Sequence, residues 1–528
     1  MSGGGVLLAM LLLPMVGAAV VAPMRTAPAA AKAIGLAFAL VELILAAVVW
    51  SEYQPGGGRL QLILSVPWIP AFGTRFALGV DGIALVMIAL IGVLVPIVMG
   101  SSWAEKLPEG RTPADFYALV LVLESLLVGV FVATDVFLFY LFFEVMLVPM
   151  YFLIGRFGGP RRQYAAVKFF LYSLLGGLVM LASVIGLFVV SGRRLGHGSF
   201  DWAALVRIAN TIPTSTQIWL FLGFFLAFAI KAPLVPFHTW LPDAGAEAPV
   251  GVGVLLVGVM DKVGIYGFLR YCLPLFPNAS RTLAPLVLVL AIAGIVYAAL
   301  LAVGQSDMKR FVAYTSVAHF GFIALGVFAF STQAQAGAVL YMVNHGISTG
   351  MLFIVVGMLI ARGGSRLISD YGGVAALAPV LAGMMLLAGL SALALPGTNS
   401  FVSEFMVLIG SYPRQPVATV IATAGIILAA LYVLWFYQRV MQGPVRGAAV
   451  LATVDGPGAA TAPGAAEPRH RIRFPDLSIR EVAVLVPLVA LILLLGFFPQ
   501  PVLNVIKPSV GATVTEVGLS DPVGQGGS

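Results

Sequence analysis

The chain has 528 residues, 60% of them hydrophobic and only 10% charged, with a mean hydropathy of +1.03. Runs of about twenty apolar residues recur almost end to end, which excludes a soluble domain and, since short alternating segments are absent, a β-barrel. The formal charge of +7 comes with no basic patch interleaved with aromatics, so it is read as membrane topology and contact with anionic lipids, not a nucleic-acid partner.

The chain is therefore an all-α polytopic membrane protein. Its single cysteine, Cys272, excludes internal disulfides and cysteine-ligated clusters, and no Gly-rich strand-to-helix motif or Walker loop is present. Hydrophobic runs predict about fourteen spans, near 4–23, 32–50, 80–101, 113–133, 135–156, 166–190, 216–242, 248–272, 283–304, 308–330, 334–361, 375–411, 416–441 and 481–499. The first run has no basic segment before it and no clean cleavage site, and reads as a retained span rather than a signal peptide.

Five regions follow in chain order. Residues 1–112 hold spans 1–3 and an outside loop, 51–79, in which RLQLILSVPWIP alternates as a small hairpin would. Residues 113–272 hold spans 4–8, with a short amphipathic outer segment at 197–212. Residues 283–441 hold spans 9–13. A Gly-, Pro- and Ala-rich inside loop covers 442–480 and reads as a mobile linker or as a docking site for a partner. Residues 481–528 hold the last span and a partly ordered outside tail. An even number of spans puts both termini on one side. Lys and Arg fall roughly two to one on the inside loops when both termini face outward, which sets that orientation.

Two spans carry breakers in mid-run. The seventh, AIKAPLVPFHTWLPDAGAEAP, contains Pro233, Pro236 and Pro242, and the twelfth, LSALALPGTNSFVSEF, contains Pro396, Gly397 and Asn399. Proline removes a backbone donor and clashes with the preceding turn, so both helices are expected to break near mid-membrane. The breaks lie five spans apart, and paired interrupted segments are the mark of inverted repeats around an ion site. Spans 4–8 and 9–13 are read as two such five-helix repeats.

Ionisable residues buried in these runs are the candidate site. A charge at the bilayer centre costs about 3 kcal/mol, so it is usually paired, hydrated and functional. Glu144 lies too deep in FLFYLFFEVMLVPMYFLIG to reach the interface, and Lys231 sits one turn before the seventh break. They are expected to form an ion pair, worth about 4 kcal/mol at 4 Å and an effective dielectric of about 20. Lys262 is the expected central proton carrier, but Asp261 beside it needs a partner of its own, because adjacent helical residues point to different faces. His319, about two turns after the basic entry Lys309–Arg310, and His345 are proton-passing candidates. A haem held between those histidines is the less favoured reading. Glu404 is the expected last carrier before the outer face. Glu124 has two open readings, a partner near Lys231 or another subunit, and Glu42 is read as facing a neighbouring subunit. Asp135 is read as interfacial, while His238 and Trp240 either line the seventh break or pack it.

Together FLFYLFFEVMLVPMYFLIG, FAIKAPLVPFHTWLPDAGAEAP, DKVGIYGFLRYCLPLFP, MKRFVAYTSVAHFGFIALG, VNHGIS and LPGTNSFVSEFMVLIGSY resemble the antiporter-like subunit M family of bacterial proton-pumping NADH:quinone oxidoreductase, respiratory complex I. The resemblance covers nearly the whole chain. It implies fourteen spans, broken helices 7 and 12, inverted repeats, and a hetero-oligomeric membrane arm with L-type and N-type neighbours in the bacterial plasma membrane. It also implies that Glu144 and Lys231 are the coupling pair, that Lys262 is the eighth-helix lysine, and that Glu404 is the twelfth-helix acid. Sister subunits L and N, and sodium/proton antiporter subunits, are expected to carry Lys at that last position, so Glu404 favours type M. Asp261 departs from the apolar residue expected before Lys262. The implied activity is proton transfer from cytoplasm to outside, driven by quinone reduction elsewhere, in a subunit of an oxidoreductase with no cofactor of its own. Flavin, iron–sulfur clusters and quinone would belong to partners. The alternatives are a sodium/proton antiporter subunit and a non-conducting membrane scaffold.

Overall fold

A computed structural model describes residues 3–451 and 474–522, so most of the 442–480 loop lies outside the described residues. Among these, thirteen helices are long and apolar enough to cross a membrane. The first seven spans begin with Gly3–Val21, Pro28–Glu52, Gly82–Ala104, Pro113–Val132, Val136–Phe157, Arg162–Leu195 and Thr214–Lys231. The eighth to eleventh are Val250–Leu275, Pro277–Val303, Met308–Phe328 and Thr332–Gly363. The thirteenth and fourteenth are Pro416–Met441 and Ile479–Phe497. The twelfth is a pair of shorter helices, Pro379–Ala392 and Asn399–Ser411.

Both expected breaks are present. The seventh span stops at Lys231 and resumes as Trp240–Glu247, with Pro233 and Pro236 in the irregular stretch between. Trp240 Nε1 donates to Ile230 O at 2.8 Å and satisfies a carbonyl from the end of the first half. The twelfth span breaks between Ala392 and Asn399, where Ala394 (φ +60°) and Gly397 (φ +92°) are left-handed and Pro396 cannot continue a helical ladder. Asn399 ties the break to the eleventh span. Its Oδ1 accepts from Ser391 Oγ (2.6 Å) and Ser348 Oγ (3.1 Å), and its Nδ2 donates to Asn344 O (3.3 Å).

Two further irregularities were not expected from the sequence. The fifth span divides into Val136–Val145 and Leu147–Phe157, with the interruption at Met146, two residues after Glu144. Pro149 lies one turn beyond Val145, where its ring opposes that residue's carbonyl and it offers no N–H. The eighth span is α-helical only in pieces, with five-residue π segments at Leu256–Met260 and Phe268–Cys272. The sixth span runs 34 residues, well past the predicted 166–190, because its charged ends continue the helix beyond the apolar stretch.

Outside the bundle, β1 (Gln61–Ile69) and β2 (Thr74–Val80) form the expected antiparallel hairpin, and Trp202–Ile208 is the expected outer helix. The tail is described as far as residue 522. Gln500–Glu516 is a helix that buries Leu503, Ile506, Val510 and Val514 against the third and eleventh spans. Those positions recur at helical spacing, a signal legible in the sequence. At this end Arg270 of the eighth span pairs with Asp81 at 3.0 Å, and the guanidinium lies 3.9 Å from the Trp202 ring centroid. Arg59 reaches Asp81 (3.6 Å), Ser509 O (2.6 Å) and Glu516 (3.3 Å). Burial pushes the Glu516 carboxyl above its ordinary range, and the Arg59 and Arg270 guanidiniums pull it back.

At the opposite end Asp243, on the second half of the seventh span, accepts from Lys168 (2.7 Å) and Arg310 (2.6 Å). Lys309 Nζ donates to Ala248 O at 2.8 Å. The basic Lys309–Arg310 pair at the start of the tenth span thus fastens that half-helix and the turn after it. A cavity of about 430 Å³ opens here, lined by Glu105, Lys309, Val250, Ile354 and Gly357 among others. Burial raises the carboxyl of Glu105, which follows the third span, and nearby Lys309 opposes that shift.

Candidate proton-translocation site

The eighth span supplies the centre of the site. It is buried along nearly its whole length, and the π segment at Leu256–Met260 delivers Asp261 and Lys262 into the interior. Lys262 Nζ donates to Val257 O, to Asp261 Oδ1 at 3.1 Å, and meets His345 Nδ1 at 2.5 Å, with the Phe320 ring centroid 5.1 Å away. The expectation that neighbouring residues diverge is corrected here. The lysine stem curls back along its own helix to a carbonyl five residues earlier, and that turn brings the ammonium onto Asp261.

From Lys262 the line continues through the tenth, eleventh and twelfth spans. His345 Nε2 is 3.0 Å from Ser316 Oγ, so both its ring nitrogens are engaged. The rings of His345 and His319 stand with centroids 5.3 Å apart, and those of His319 and Tyr341 5.8 Å apart. Tyr341 OH donates to Glu404 Oε2 at 2.9 Å. His319 Nε2 lies 3.4 Å from Tyr432 OH, and its Nδ1 has no hydrogen-bond partner. Lys262, His319, His345 and Glu404 are brought together as expected. Ser316, Tyr341 and Tyr432 were missed, although Tyr341 precedes His345 by four residues and Ser316 precedes His319 by three, spacings that share a helix face.

The first half of the site is arranged differently from the expectation. Glu144 and Lys231 make no contact ion pair within 4.0 Å, although each acts electrostatically on the other. Lys231 is fully buried at the last residue of its half-helix. Its Nζ has no hydrogen-bond partner and rests 5.1 and 5.5 Å from the Phe143 and Phe169 ring centroids. Glu144 is half-buried and its carboxyl lies flat on Gly177 of the sixth span, where a Cβ would overlap it. The Pro149 kink and the absent side chain at 177 set that carboxyl's position, and neither is legible in the spacing of the charges.

The remaining candidates lie off this line. Glu124 is fully buried, neither of its oxygens has a hydrogen-bond partner, and the charged group that acts on it is Glu42 rather than Lys231. Glu42 is itself buried, not presented outward. His238 packs near Tyr297 and Tyr314, with ring centroids 5.7 and 6.3 Å away. Asp135 is buried as the N-cap of the fifth span, its Oδ1 accepting from Phe137 N and Leu138 N. Among the described residues no group of three or more His, Cys, Asp or Glu could hold a metal ion.

Thirteen helices able to cross a membrane among the described residues, interrupted seventh and twelfth runs, and a buried line of amine, imidazole, phenol and carboxyl together define an antiporter-type membrane subunit. Residues 133–431 match the family described as "NADH:quinone oxidoreductase/Mrp antiporter, TM". NADH-quinone oxidoreductase subunit M of Mycobacterium tuberculosis is 44% identical over 523 residues, spanning 93% of this chain and 90% of the relative. The Rhodobacter capsulatus subunit M is 38% identical over 512 residues, 95% of each chain. The chain belongs to the subunit M family of NADH-quinone oxidoreductase. Among solved structures, a chain of Thermus thermophilus respiratory complex I superposes with a TM-score of 0.83 at 30% identity, covering 97% of this chain and 100% of that one. A chain of the Mrp complex from Dietzia superposes at 0.84 with 21% identity, covering 98% of this chain and all of that one, a likeness of fold.

Proposed function

We propose that this chain is the M-type membrane-arm subunit of respiratory complex I and moves protons from cytoplasm to outside, driven by quinone reduction elsewhere in the complex. Glu144 and Lys231 form the switch. Charge displaced along the arm changes the field at Lys231, and protons held at Lys262 pass by His345 and His319 to Tyr341 and Glu404. The chain itself performs no redox chemistry; its neighbours are L-type and N-type subunits in a bacterial plasma membrane, and both termini face outward. Spans 4–8 and 9–13 act as inverted repeats, one centred on each helix break.

One observation carries this reading: polar contacts and closely spaced rings run without a lipid-facing gap from Lys262 to Glu404. The test is NADH-driven proton uptake by the reconstituted complex. Glu144→Gln and Lys231→Ala are expected to assemble normally and to abolish uptake. Unchanged uptake in both variants would point instead to a scaffold. The fold shared with the Mrp complex favours a second reading, a cation/proton antiporter subunit; sodium-dependent proton movement by the purified assembly without NADH would establish it.

A further inference from the structure

Two of the buried polar atoms that lack partners are complementary. Lys231 Nζ is a donor with no acceptor, and Asp261 Oδ2 is an acceptor with no donor; both residues have no exposed surface. Buried polar groups without partners are rare, and each calls for a physical account. The charged groups that act on Lys231 are Glu144 and Asp261. Among the described residues Asp261 forms one ion pair, and it uses only Oδ1, toward Lys262.

The backbone places these groups on adjoining elements. Gly264, one turn after Asp261, meets the end of the first half of the seventh span directly: a Cβ there would lie 2.5 Å from Phe228 O and 2.6 Å from Ala232 N. Gly267 meets the Phe228 ring in the same way. Positions 261, 264 and 267 follow the helical i, i+3 spacing, so Asp261 belongs to the face of the eighth span packed on the seventh, beside the break that follows Lys231. His345, on the eleventh span, holds Lys262 from another side. Asp261 therefore stands where the two lysines can share one carboxylate.

Building on the proton-translocation reading above, we infer that Asp261 is the transfer group between Lys231 and Lys262. When Glu144 no longer favours the charged form, the Lys231 ammonium gives its proton to Asp261 Oδ2, leaving a neutral amine and a carboxylic acid. Rotation about the Asp261 side chain presents that proton to a Lys262 that has already passed its own proton to His345. The carboxylate and the Lys262 ammonium are restored, and one proton has moved with no other reactant consumed. Asp261 is thus a catalytic residue of the line and not only a counter-ion.

The test uses the intact reconstituted complex with Asp261→Asn and Asp261→Glu. Asparagine keeps the size of the side chain and an oxygen acceptor but cannot carry a proton. Asp261→Asn is expected to lower NADH-driven proton uptake by about a hundredfold, in line with loss of a general acid–base group, while NADH–ferricyanide activity stays at wild-type level. Asp261→Glu should restore most of the uptake. Infrared difference spectra during turnover separate this role from simple neutralisation of Lys262: a transient carboxylic C=O band is expected in the wild type and absent in Asp261→Asn. Wild-type uptake in Asp261→Asn, or a band that persists in it, overturns the inference. If Glu144→Gln and Lys231→Ala also pump normally, the broader reading falls with it; if those two are inactive while Asp261→Asn pumps, only the role of Asp261 falls.

Discussion

Gly177 governs Glu144 through an absence. The carboxyl rests where a methyl group would sit, so Gly177→Ala must drive it off the sixth span. The expected result is a complex that assembles at wild-type level yet pumps as poorly as Glu144→Gln, measured as NADH-driven proton uptake. At this scale the charged half of the site was legible and the neutral half was not. Glu144, Lys231, Lys262 and Glu404 stand out because charge is rare in apolar runs. Tyr341 and Ser316 do not, since neutral hydroxyls are common within spans and only their partners reveal a role. The direct Glu144–Lys231 contact failed for a related reason. Chain position places a residue in a span, but a proline kink and a glycine gap decide where its carboxyl lies.

Breaks and bulges organise the elements. At the seventh break the Trp240 side chain satisfies a freed carbonyl, Ile230 O, and at the twelfth Asn399 bonds Ser391, Ser348 and the carbonyl of Asn344 on the eleventh span. Asn399→Ala leaves Ser391 and Ser348 without that acceptor and Asn344 O without that donor. A buried group left unpaired costs about 1–3 kcal/mol, so the purified complex should melt several degrees lower, as followed by differential scanning fluorimetry. Proline and glycine announced these two breaks in the sequence. The π segments of the eighth span had no such announcement, because no residue type demands them. The first of them is held by a contact within the span itself, the Lys262 ammonium on Val257 O five residues earlier. Lys231 gains from its position as well, since the C-terminal end of a half-helix is the negative pole of its dipole and favours an ammonium.

At the scale of the whole molecule, one end is held by charges buried between separate elements. Asp81 and Arg270 are almost fully enclosed, with Arg59 joining from the segment before β1. Removing one member of a buried pair strands the other, at a cost of about 3–5 kcal/mol. Arg270→Gln should therefore lower the melting midpoint of the assembly more than Asn399→Ala does, and adding Asp81→Asn should recover part of the loss. The long apolar helices and the hairpin were legible because both are local patterns. The clasp was not, since its central pair joins residues 189 positions apart. The helix Gln500–Glu516 lies across the third, eighth and eleventh spans and is bonded to Arg59 and to Gly82 N through Ser509. A bar fastened over both halves of a transporter opposes the rigid-body rocking by which many carriers alternate access. The eighth and eleventh spans are thereby expected to keep their relative position during turnover, which leaves side-chain rotation as the movement open to the polar line between them.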